Sequence, residues 1–220
     1  MHQLDGLALA TYAGSVAFEV GAITATMAAA ELLLLPSIGA FDRFDATKVV
    51  VVAFFLFTSI RSRVFSFLDA KRPTLASERS DIQARRRPSW QPPPVVFPIV
   101  WLAIAVLRTI ACTLVWEASG RTLLAPALIA YFGHLSVGDT WNYVNNVQKR
   151  TGVAASGVVC VTAGAIATTA LFFGVLPQAG WVLAPSCVWL VIASVLVISI
   201  WRINDPNGNA LYPTFGMRSS

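Results

Sequence analysis

Residues 85–101 read RRRPSWQPPPVVFPIVW. Three arginines run into a proline-rich stretch, which opens directly into apolar residues. Charged side chains are costly in hydrocarbon, and tryptophan favours the boundary between headgroups and acyl chains. The stretch therefore marks a point where the chain enters a membrane. The composition agrees. Of 220 residues, 56% are hydrophobic and only 12% are charged, against about 25% charged in a soluble domain. Mean hydropathy is +0.66. Cys112, Cys160 and Cys187 lie singly in apolar segments and read as small hydrophobes, with no disulfide framework or metal spacing.

A spanning helix takes about 20 mainly apolar residues. Stretches near 6–35, 48–68, 95–116, 123–144, 153–176 and 181–201 meet or approach that length. Glu19 and Glu31 interrupt the first, and Arg61 and Arg63 lie in the last third of the second. Only helices and closed barrels satisfy backbone polar groups in lipid, and strand-like alternation is absent. The fold class is all-α, a polytopic transmembrane helix bundle. The first segment has no basic region before it and carries Glu19, so it reads as a retained helix, spanning or interfacial, and not as a cleaved signal.

Charge sets the expected orientation. From Arg61 to Trp90 there are eight basic residues (Arg61, Arg63, Lys71, Arg72, Arg79, Arg85, Arg86, Arg87) and three acids (Asp69, Glu78, Asp81). That loop carries the whole net charge of +5. The basic loop 61–90 and the C-terminus are expected to face the cytoplasm, as do Lys149, Arg150 and Arg202. Arginine runs attract any phosphate. Between two spans, though, they read as a topology determinant resting on anionic headgroups, at about 1 kcal/mol per basic residue. The bilayer is the expected partner, and nucleic acid is not.

Pro88-Ser89-Trp90-Gln91-Pro92-Pro93, then Phe97, then Val100-Trp101 resembles the signature opening the second helix of the tryptophan-rich sensory protein/translocator protein (TspO/MBR) family. The similarity continues through Leu114-Val115-Trp116, Gly120, Trp141, Pro185, Trp189, Ala193 and Leu196 to Trp201-Arg202-Ile203-Asn204, covering residues 87–204. It implies a five-helix core, here with an extra N-terminal helix. Residues 1–46 would be an N-terminal hydrophobic segment. Residues 47–204 would be the bundle, with a basic loop at about 69–90, and 205–220 a tail. The resemblance further implies binding of a hydrophobic small molecule, with a transport or sensory role. The ligand would be a tetrapyrrole (porphyrin or haem) or a sterol, with no obligatory cofactor. The alternatives are a structural subunit with a degenerate pocket, or a light-dependent porphyrin-modifying enzyme. The chain departs from the family pattern at Ala105, Arg108, Gly138, Asn145-Asn146, Val197 and Ile198. Ile198 replaces the sterol-motif tyrosine, which weakens the sterol case. The chain reads as a divergent member.

Proline fixes φ near −65°, so Pro92 and Pro93 hold Trp90 on a stiff arm, either as a pocket lid or as an interfacial anchor. Pro94 is expected to open the next helix. Trp101, Ala105, Arg108 and Cys112 share one helical face. Arg108 lies near mid-membrane, where a charge costs about 2.5–3.5 kcal/mol or more, so it needs a partner. Glu19, Glu31, Asp139, or an acidic group on a planar ligand such as a porphyrin are the candidates. His134, Gly138 and Trp141 share a face. Gly138 removes bulk there, and His134 is either a packing residue or a ligand to a tetrapyrrole metal. Trp189 and Ala193, with Phe97 and the other indoles, are expected to wall one apolar cavity. No acid–base pair, nucleophile set, HExxH or Cys-x-x-Cys occurs, so no catalytic or metal residue is assigned. A stripe of Gly157, Cys160, Gly164 and Thr168 suits close helix packing, within the bundle or in a homodimer.

Overall fold

Asp5 opens the first helix by accepting the Ala8 N–H at 3.0 Å, one of the donors a helix start leaves unpaired. In the computed structural model, which describes residues 5–39, 45–68 and 86–204, α1 runs Gly6–Ala29, widens into a π-turn at Ala30–Leu34 and ends as α2, Leu35–Gly39. Asp45 caps α3 (Ala46–Arg61) through the Lys48 N–H, and a 3₁₀ turn at Ser62–Phe65 prolongs it. α4 is Val96–Ala118. α5, Pro126–Asn142, starts on a proline and continues as a π-turn at Tyr143–Val147. α6 is Thr151–Val175, and α7 is Pro177–Asn204. Residues 69–85 of the basic loop and the tail 205–220 lie outside the described residues.

Each of the six apolar segments is helical, and no strand occurs among the described residues. Four helical stretches are long and apolar enough to cross a membrane: Gly6–Ile38, Val96–Ala118, Thr151–Val175 and Pro177–Asn204. α3 and α5 do not meet that standard alone. With their 3₁₀ and π extensions, each still reaches roughly 30 Å at standard helical rises. Pro94 does not open α4, which begins two residues later. Pro98 is the proline in its first turn, where no amide hydrogen is needed.

The helices form a ring in the order α3, α4, α7, α6, α5, and α1 lies against α5 and the 3₁₀ turn. Lipid tails are as apolar as leucine, so packing and interhelical hydrogen bonds hold such a bundle. Ser59 bonds Tyr131 at 2.9 Å, Trp141 Nε1 donates to Ala154 O at 2.8 Å, and Thr162 bonds Ser194 at 2.7 Å. The glycine stripe is consumed inside the protomer. A Cβ on Gly157 would lie 3.0 Å from Trp141, and one on Gly164 3.4 Å from His134. Thr168 faces the Ala130 carbonyl, and Cys160 alone is exposed. α1 is fastened at both ends. Arg150 pairs with Asp5 at 3.1 Å and Tyr12 bonds Gln148. Glu31 accepts from Thr122 Oγ1 at 2.8 Å and from Leu123 N at 2.7 Å.

The large buried side chains gather in one half of the bundle. Trp116 ends α4, Leu123 and Leu128 border the start of α5, Phe172 is near the end of α6, and Ala179 and Leu183 are near the start of α7. Ile23, Met27, Val51 and Phe55 join them from α1 and α3. The half nearer the basic loop holds a smaller cluster of Val161, Ala165 and Leu190.

Candidate ligand-binding site

Arg108 projects from the middle of α4 and is only 7% exposed. Its Nη2 lies 3.3 Å from His134 Nε2 on α5. Its guanidinium sits 5.9 Å from the centre of the Trp101 ring. Nε has no hydrogen-bond partner. None of the three acids expected as partners serves it. Glu31 turns to Thr122 and Leu123, Asp139 accepts from Ser62, and Glu19 lies beside Asp139. The cause is placement on α5: His134 and Asp139 are five residues apart and so point about 140° apart around the helix. Among the described residues this buried guanidinium is held by an imidazole and a ring face, without the counter-charge that normally offsets desolvation.

Trp101, one-third exposed at 36%, covers the guanidinium from the α4 side. Beyond His134, a Cβ placed on Gly138 would meet no atom within 4 Å, so space lies one turn away. One turn before Trp101, Phe97 packs edge-on against Trp189 of α7, with ring centres 5.9 Å apart. Trp189 Nε1 is buried without an acceptor. Ala193, one turn further along α7, is half-buried. Phe97 and Trp189 meet in the α4–α7 seam, while Trp101 and His134 flank Arg108.

The remaining predicted site residues lie elsewhere. Trp141 is turned into the α5–α6 contact, against Gly157 and the Ala154 carbonyl. Trp90, 49% exposed, rests on the outer face of α7. With Val191, Ile192 and Val195 it lines an open apolar depression of about 280 Å³. The four indoles therefore do not enclose one chamber, as the sequence suggested. Asn204 supplies the reason for Trp90. Its side chain accepts from Arg86 N at 2.7 Å and donates to Arg86 O at 2.6 Å, which pins the arm along the end of α7. Pro92 and Pro93 then lead through a turn, with Val96 N bonded to Pro93 O at 3.0 Å. In the sequence Asn204 is only a closing residue of the motif; no spacing signal links it to Arg86.

Comparison with known proteins fits this architecture. The TspO/MBR family model matches residues 49–202. The "Protein CrtK" of Rhodobacter capsulatus is 27% identical over 120 residues, 54% of this chain and 75% of that protein. The "Translocator protein" of Homo sapiens is 31% identical over 121 residues, 54% of this chain and 72% of the relative. The "Tryptophan-rich sensory protein" of Cereibacter sphaeroides is 29% identical over 118 residues, with 54% and 73% covered. α1 and α2 precede the matched region. With a match reaching from the first turn of α3 to the last turn of α7, this chain is an integral membrane protein that belongs to the TspO/MBR family.

Proposed function

We propose that the protein binds an amphipathic, carboxylate-bearing hydrophobic ligand of the tetrapyrrole class between α4, α5 and α7, in a sensory or carrier role, with its basic-loop side facing the cytoplasm. The observation that carries this reading is Arg108, buried beside His134 and Trp101 with no carboxylate partner among the described residues. Family membership supports a membrane ligand-binding or sensory protein. The planar part of the ligand would lie against Phe97, Trp101 and Trp189, where apolar burial contributes about 25 cal/mol per Å² before entropic costs. Its acid group would replace the weak cation–π contact with a charge-assisted hydrogen bond, worth roughly 1.5–3 kcal/mol. The uncharged Trp90 depression on α7 favours a second reading, a neutral sterol-like ligand entering from the lipid side, although Ile198 stands where the sterol-motif tyrosine would be.

The test is tryptophan fluorescence quenching in detergent with protoporphyrin and with its dimethyl ester. The free acid should bind at least about tenfold more tightly, as a charge-assisted bond predicts. Arg108→Gln should remove that preference. Equal affinity for acid and ester in the parent protein would refute the anionic assignment and leave the sterol-like reading to be tried.

A further inference from the structure

A second buried polar site lies on the opposite side of α5, where α1 docks. Glu19 is fully buried, and neither carboxylate oxygen makes a hydrogen bond. The polar groups beside it are the Asp139 carboxyl and the Ser66 and Ser136 hydroxyls. Ser62 Oγ reaches Asp139 Oδ2, and Ser15 Oγ lies 3.1 Å from Ser66 Oγ. The hydroxyl hydrogen of Ser136 is directed to the Phe132 carbonyl at 2.9 Å, and that of Ser62 to Asp139. Those two oxygens keep lone pairs available to an electrophile. Two carboxyls and four serine hydroxyls thus converge from α1, from the segment ending α3, and from α5.

We propose that Glu19 and Asp139, with Ser15, Ser62, Ser66 and Ser136, form a buried site for a hard divalent cation of the calcium type, which fastens α1 to the bundle. An all-oxygen set without sulfur or imidazole selects hard cations over zinc or copper. Two carboxylates match a double positive charge, and Glu19 is fully buried. Calcium accepts six to eight oxygens in irregular geometry, whereas magnesium demands a near-ideal octahedron and keeps its waters. The site includes two residues of α1, which lies before the family match, so it belongs to this chain's extra helix and is independent of the Arg108 reading.

The experiment uses the full chain in neutral detergent, stripped with EGTA. Radioactive calcium should bind saturably at about one ion per chain and raise the thermal unfolding midpoint. Glu19→Gln and Asp139→Asn should each weaken binding at least about tenfold. Should either variant fail to fold, Ser15→Ala, which keeps both carboxyls, should still show a smaller loss. Three outcomes would overturn the proposal. The parent could bind no calcium above background. Binding could persist undiminished in Glu19→Gln. Or the midpoint could move with pH while calcium and EGTA samples coincide, which would mean that a proton, not a metal, joins the carboxyls.

Discussion

The two faces of α5 carry opposite problems. On one, His134 meets a buried guanidinium that has no carboxylate beside it among the described residues. On the other, Asp139 meets a buried carboxylate with no hydrogen bond. Arg108 and Glu19 carry opposite formal charges, yet they lie on opposite sides of α5. In hydrocarbon, unsatisfied charge is expensive and tends to mark function. A bundle selected for stability alone would have joined them. Kept apart, they are the two groups on which the proposed acid and cation sites rest.

Three substitutions probe that contrast. Arg108→Leu removes a charge that lacks a counter-ion. The ligand-free protein should become more stable, by about 1–4 kcal/mol if it follows other replacements of buried ionic groups. Chemical unfolding in detergent reads this, and a large loss of stability would mean that Arg108 is structural. Ser62→Ala acts on the other face, taking away a donor to Asp139. It should cost about 1–3 kcal/mol, measured as a lowered unfolding midpoint with calcium absent. If Ser62→Ala is neutral, the serine is not part of a tight polar site. The smallest effect is expected away from both faces, at Asp45. There the Arg121 guanidinium, aided by the Lys48 N–H, holds the carboxyl below its ordinary value of 3.8. A depressed carboxyl contributes stability above that value and loses it as pH falls through the folded-state value. Asp45→Asn should therefore flatten the pH dependence of unfolding only below about pH 4, with little change at neutral pH because the pair is solvent-exposed.

Helices were legible because hydropathy and length are local properties. The tryptophan–proline motif identified the family from its residues, and Arg108, one of the departures, is the residue that meets His134. Partnerships were not legible. Arg108 needed a partner, but nothing in the chain distinguishes His134, 26 residues on, from three acids, because that choice depends on how α5 is rotated. Glu19 and Asp139 are 120 residues apart on helices with no shared pattern. The fate of Trp90 depended on Asn204 gripping Arg86, a contact between chain positions that no periodicity connects. Trp141 and Trp189 were both expected to wall one cavity, but only coordinates separate a ring wedged against Gly157 from one beside Phe97.

The π-turn at Ala30–Leu34 has a consequence for the N-terminal helix. Its inward residues, Ser15, Glu19, Ile23, Met27 and then Leu35, recur at multiples of four. An α-helix advances about 400° in four residues, so such a seam slews about 40° at every step and would wind off its neighbour. One broader coil resets the phase. It brings Glu31 back to the Thr122 turn and Leu35 back to the interior, while Leu32, Leu33 and Leu34 are left facing lipid. A straight rod of the same composition would lose register before its second anchor.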